Sequence, residues 1–199
     1  MQSATYTGLP RVHICFFTAV QNAAALRSRL IAAAGIDGTH GDVEREAVNF
    51  AFVDAASIVS HLHLRTAIYQ ALLAHSRGSL RTKTVHSEIL FALNPSNNIT
   101  EAIKRFGIND KTQALILVRV GNVDETVDGR AAGTLDDNAV FDRMKSLVQG
   151  RPINLEEGIE HATDWDMVKK IYKLPQISAL RTCIQEVVVS SVAMKSVMS

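Results

Sequence analysis

The sequence predicts an α/β chain of the α+β sandwich type: a small β-sheet packed with several helices and ending in a long C-terminal helix. Three observations predict it. The runs Val12–Phe17 and Ala114–Val120 are short, apolar and rich in β-formers, as buried strands are. Elsewhere, apolar residues recur at steps of three and four, the period of amphipathic helices. Strands interleaved with helices bury both by packing helices on the sheet.

Taking the elements in order, Val12–Phe17 reads as the first strand. Val20–Ala34 follows as a helix, with Ala23, Leu26, Leu30 and Ala34 on one face and Gly35 placed to stop it. Gly38–Glu46 is polar with two glycines and reads as a loop. Asn49–Val53 reads as a second strand. Ala55–His75 reads as one long helix, apolar on more than one face through Ile58, Leu62, Leu64, Ile68, Ala71 and Leu72, and therefore central or covered by a partner.

Ser76–Lys83 is a basic turn carrying Arg77, Arg81 and Lys83 around Gly78. Glu88–Leu93 is apolar and compatible with helix or strand by periodicity alone. Asn94–Asn98 is a turn, because Pro95 lacks a donor and Asn tolerates left-handed backbone. Asn98 then predicts an N-cap with Glu101 reaching back to it, and Ile99, Ala102, Ile103 and Phe106 form an apolar stripe ended by Gly107. Thr100, Glu101, Lys104 and Arg105 point away from that stripe.

Residues 121–138 are acidic, contain Gly129 and Gly133, and read as a flexible insertion. Ala139–Val148 is an amphipathic helix stopped at Gly150 and Pro152. Asp164 predicts the cap of a short helix, Trp165–Lys173, which ends before Pro175. Ile177–Met198 is the terminal helix, against the β-preference of Val187, Val188 and Val189.

The length of 199 residues fits one domain, 1–199. With 21 basic and 20 acidic side chains the chain lacks the cationic surplus of a general nucleic-acid-coating protein, although a local basic patch remains open. Two cysteines far apart, Cys15 and Cys183, predict buried reduced thiols and an intracellular, reducing compartment. Met1–Pro10 is polar, so no secretory signal is expected. Ile177–Met198 comes closest to a membrane span but is interrupted by Arg181, Glu186 and Lys195, so no membrane partner is expected.

Catalytic signals are weak. No phosphate loop, dinucleotide fingerprint or Cys-x-x-Cys is present, and no cofactor is expected. His61 and His63 diverge by about 200° on a helix and suit no shared metal, so no metal site is assigned. His161 and Asp164 read as a solvated helix end. His86 and Glu88 would share a face if their segment were a strand, which makes them the acid–base pair of an alternative reading, a stand-alone small-molecule enzyme. A plain hydrogen-bonding role for Glu88 competes with it. Arg77, Arg81 and Lys83 form one basic group, Lys104 and Arg105 a second; they make a single electropositive patch if turn and helix are neighbours. Lys169, Lys170 and Lys173 form a third, read as solvated surface. On the terminal helix, Ile184, Val187, Val188, Val192 and Met194 carry more apolar surface than one buried stripe needs, which points to a partner.

The stretch from Arg81 to Ile108, with Val168-Lys-Lys-Ile-Tyr-Lys-Leu174 and the opening segment Ile14–Ala34 followed by Ile36-Asp37-Gly38, resembles the signature of the PRPK-binding protein (TPRKB) family, the small accessory subunits of the KEOPS (EKC) complex. The similarity covers most of the chain outside residues 121–138. Where the family usually reads Ser-Pro-Asn-Asn-Asn, this chain has Asn94-Pro95-Ser96-Asn97-Asn98.

The resemblance implies a fungal, non-catalytic regulatory subunit that binds the complex's kinase/ATPase subunit directly and acts as its allosteric effector. It implies indirect association with the threonylcarbamoyl-transferase subunit and the other KEOPS subunits. The reaction so served is threonylcarbamoyladenosine modification of tRNA, with recruitment of the tRNA acceptor end as in archaeal relatives. It also implies residence in nucleus and cytoplasm, with links to telomeric chromatin and transcription. The residues placed in these roles are Ile184, Val187, Val188, Ser191, Val192 and Met194 for the kinase subunit, and Arg81, Lys83, Asn97, Asn98, Lys104 and Arg105 for tRNA.

Overall fold

The computed structural model describes residues 2–4, 9–121, 126–127, 130–131, 137–175 and 180–198. Its element order is β1 (Gln2–Ala4), β2 (Val12–Thr18), α1 (Ala23–Gly35), α2 (Gly38–Ala47), β3 (Ala51–Asp54), a 3₁₀ turn (Ala55–Ser57), α3 (His61–Ser76), α4 (Val85–Leu93), α5 (Ile99–Phe106), β4 (Leu115–Val120), the two-residue strands β5 (Thr126–Val127) and β6 (Arg130–Ala131), α6 (Asp137–Leu147), β7 (Arg151–Ile153), α7 (Leu155–Ala162), α8 (Trp165–Ile171) and α9 (Arg181–Met198).

The sheet is antiparallel, in the order β1-β2-β4-β3, with β7 also pairing β2. β1 and β7 share one edge of β2 end to end, at Val12–Ile14 and Phe16–Thr18. Helices cover both faces, which is why the strands read as continuous apolar runs rather than alternating ones. One face carries Ile14, Phe16, Val53, Ile116 and Val118 against α3, α4, α7 and the end of α9. The other carries Cys15, Phe17, Phe52, Leu115 and Leu117 against α1 and α6. The predicted small sheet with helices packed on it, and the long terminal helix, are both present. Residues 177–179, where that helix was expected to begin, lie outside the described residues, as does most of the 121–138 insertion.

Four expectations are corrected. Gly38–Glu46 is the helix α2, not a loop. A Cβ on Gly41 would fall 2.0 Å from the Ile36 carbonyl oxygen, so glycine permits the tight α1–α2 corner, and Arg45 donates to that same oxygen at 2.5 Å. Tertiary packing here outweighs the weak helix propensity of glycine. The long helix over Ala55–His75 is interrupted: after the 3₁₀ turn the chain runs extended through Ile58, and Ser60 caps α3 by accepting from the His63 amide. On α1, Ala23 and Leu26 are buried and Leu30 half-buried as expected, but the face closes on Ala33, and Ala34 is exposed. Cys15 is buried, which pushes its thiol up to about 11, but Cys183 lies exposed on α9.

β7 and α7 were not anticipated. The signal for α7 was present: Asn154 accepts from the Glu156 and Glu157 amides, an N-cap followed by two acidic residues at the positive end of the helix. Gly158 lies flat on the Phe16 ring, where a Cβ would stand 2.6 Å from a ring carbon.

Candidate functional site

α4 positions the polar chemistry. Thr84 and Ser87 form a reciprocal capping box at its start. Because this segment is helical, His86 and Glu88 turn to different sides, and the acid–base pair of the alternative enzyme reading is not formed. The His86 Nε2 accepts from the Val120 amide at 3.0 Å, and burial pushes the imidazole down to about 3. The Glu88 carboxylate accepts from the Arg81 and Thr82 amides at 3.0 and 2.8 Å and from the Thr82 hydroxyl at 2.7 Å, so it organises the basic turn. Two adjacent amides aimed at one carboxylate form an anion nest filled from within the chain.

Below that turn lies an open groove of about 260 Å³, walled by α3 and α4 and bordered by Arg77, Arg81, Glu88, Phe91 and Lys195. Arg81 and Lys83 are exposed beside or near it, but Lys104 and Arg105 do not line it. The two basic groups therefore do not share this groove; Lys195 of α9 supplies a cation there instead. Arg105 is engaged locally, pairing with Glu101 at 2.7 Å and donating to the Asn94 side chain at 3.3 Å.

The Asn-rich turn is a compact network. The Asn98 side chain accepts from the Glu101 amide at 3.0 Å, the predicted cap. The Glu101 carboxylate does not return to Asn98; it accepts from the Ser96 hydroxyl, which holds its carboxyl below the usual range. Asn97, Asn98 and Lys104 are exposed. Of the α5 stripe, Ala102 and Phe106 are buried, whereas Ile99 and Ile103 remain open to solvent.

Sequence reasoning missed Lys195, which it treated only as a break in an apolar run. Its ammonium donates to the Phe91, Asn94 and Ser96 carbonyl oxygens, the last two at 2.7 and 3.1 Å, and stands 3.6 Å from the centre of the Phe91 ring. Burial pushes it down to about 8, against Glu88, whose charge raises it. No spacing rule reveals such a contact, because the partners lie about a hundred residues upstream.

α9 divides the proposed kinase-subunit residues into two sets. Ile184, Val188 and Val192 are 5, 0 and 1 % exposed and belong to the chain's own core. For these three the assignment as a partner-facing surface is corrected: Val59 and Val168 pack in one cluster with Ile184 and Val188. Val187 and Met194, 50 and 51 % exposed, lie on the neighbouring face with Ser191 half-buried between them. Leu180, just before the helix, is more exposed still. Alongside, Arg181 stacks on Trp165. α8 ends with Lys173 in left-handed backbone, and Leu174 donates to the Lys169 carbonyl at 2.8 Å, a Schellman-type stop.

The sequence matches the family model described as "Kinase binding protein CGI-121" over residues 17–196. This chain belongs to the CGI-121 kinase-binding family. It is 34% identical to the "EKC/KEOPS complex subunit CGI121" of Cryptococcus neoformans over 99% of this chain and 100% of that one. The same description attaches to relatives from Gibberella zeae, 35% identical over 87% of this chain and 83% of the relative, and from Yarrowia lipolytica, 33% identical over 82% and 80%. The resemblance to the KEOPS accessory subunits is thereby borne out. In this CGI-121 family chain the residues that carried it, Arg81–Ile108, include the end of the basic turn, α4, the Asn-rich turn and α5, while Val168–Leu174 forms most of α8 and its stop.

Proposed function

We propose that this chain is a non-catalytic regulatory subunit of a KEOPS/EKC complex, docking on its kinase/ATPase subunit through the outer face of α9 and acting as an allosteric effector in threonylcarbamoyladenosine modification of tRNA. The observation that carries this reading is the pair Val187 and Met194, half exposed on a helix whose adjacent face is already used by the core. Membership in a kinase-binding family supports it. Apolar side chains held in a row by a rigid helix suit docking into a complementary groove, because little side-chain or backbone freedom is lost on binding. The transferase and remaining subunits are reached through the kinase subunit, and action on tRNA is consistent with residence in nucleus and cytoplasm and with a telomeric role.

Co-purification with the kinase subunit tests the reading. Val187→Glu with Met194→Glu should abolish capture while the thermal transition stays in place, since burying an unpaired carboxylate at an interface costs several kcal/mol. Undiminished capture by this folded double variant would refute the assignment.

A second reading is direct contact with the tRNA acceptor end, supported by the open groove beside Arg81 and the exposed Lys83, Asn97, Asn98 and Lys104. Single-stranded ends are held through phosphates and exposed base edges. Affinity should fall with salt and with removal of the acceptor end. Within this reading Arg105 positions the Asn-rich turn, since its guanidinium is held by Glu101 and Asn94.

A further inference from the structure

The docking helix and the groove meet at one side chain. Lys195 directly follows Met194, the last residue of the exposed α9 face, and lines the groove together with Arg77 and Arg81. A lysine near a helix end usually sends its ammonium into water. Here the three N–H groups converge on carbonyls from two elements, Phe91 in the last turn of α4 and Asn94 and Ser96 in the turn after it. The last carbonyls of a helix lack intrahelical partners and form the negative end of its dipole. Lys195 is thus a C-terminal cap for α4 supplied from about a hundred residues away. The Asn94 and Ser96 side chains continue the network to Glu101 and Arg105 on α5.

We propose that Lys195 couples the two surfaces: it joins the last turns of α9 to the Asn94–Asn98 turn as one cooperative unit, so that a protein seated on the Val187–Met194 face alters the groove between Arg77, Arg81 and Phe91. The two states are Lys195 seated on its carbonyls and Lys195 withdrawn. Since its donors serve three acceptors at once, a partner that holds the last turns of α9 steadies all three contacts together. The identity of the effector rests on the docking reading; the link itself does not.

Amide hydrogen exchange on the full chain tests both parts. With Lys195→Met, exchange across 91–101 is expected to rise about tenfold together with the end of α9, while β2 and β4 keep their protection. Unchanged exchange at 91–101 in the folded variant overturns the proposal. Adding the kinase subunit to the wild-type chain should slow exchange at 91–101, and the Lys195→Met complex should lose that slowing. Equal slowing in both, or no change there in the wild-type complex, also overturns it, and the wild-type comparison decides even if the variant does not fold. If the kinase subunit does not bind the wild-type chain at all, the docking reading fails, and the isolated-chain comparison judges the link separately.

Discussion

Tyr172 stands 2.9 Å from the His63 Nε2 and donates its hydroxyl hydrogen to the Leu93 carbonyl 2.6 Å away, while the Val59 amide donates to the His63 Nδ1. The direction of these bonds fixes a neutral imidazole with its proton on Nε2. One phenol thereby joins α3, the end of α4 and the end of α8. Tyr172→Phe keeps the packing but leaves both His63 and the Leu93 carbonyl without their partner. A loss of about 1–3 kcal/mol is expected, read from the urea unfolding midpoint.

His63 and His86 are both pushed by burial to about 3, from the ordinary 6.5. Their folded values lie below the unfolded ones, so the unfolded chain takes up protons first. The stability they supply is complete above pH 6.5 and is lost as pH falls from 6.5 toward 3. At pH 5 each histidine should account for a loss of about 2 kcal/mol relative to pH 7. Unfolding free energies at pH 7 and pH 5 check this, and His86→Gln should remove about half of the two-histidine contribution.

Val188→Ala should destabilise the chain by about 2 kcal/mol, the removed methyl groups plus the cavity left behind. Val187→Ala, on the exposed face of the same helix, should stay within about 0.5 kcal/mol. Thermal denaturation of the two variants measures the division between core and open faces.

Gly158→Ala sets two effects against each other. Alanine favours the helix by up to about 1 kcal/mol. Its Cβ would stand 2.6 Å from the Phe16 ring, inside the core against β2. Overpacking costs typically about 1–3 kcal/mol, so the net result should be destabilising; an equal or higher urea midpoint would show that α7 yields without cost.

Ala19 is exposed and holds a φ of +53° between β2 and α1. A side chain in left-handed backbone costs of order 1 kcal/mol, part of which glycine returns as unfolded-state entropy. Ala19→Gly should therefore leave the melting temperature level or raise it by a few degrees, whereas the same change at Ala102, buried inside α5, should lower it.

What the sequence determined was local. The apolar runs of β2 and β4, the Asn98 and Asp164 caps and the breaks at Gly35 and Gly107 are legible because they depend on residues a few positions apart. So is the family, whose match runs through Arg81–Ile108. Tertiary structure decided what depends on contacts distant in sequence. Gly38–Ala47 became a helix because Gly41 admits a close corner. His86 and Glu88 parted because packing selected a helix over a strand that periodicity equally allowed. On α9, the eleven positions from Ile184 to Met194 supply enough apolar residues for two faces, and only the placement of Val59 and Val168 shows that Val188 is core while Val187 is open. Lys195 shows the limit most plainly: its meaning lies in three carbonyls about a hundred residues away, and a carbonyl carries no side-chain signature in the sequence.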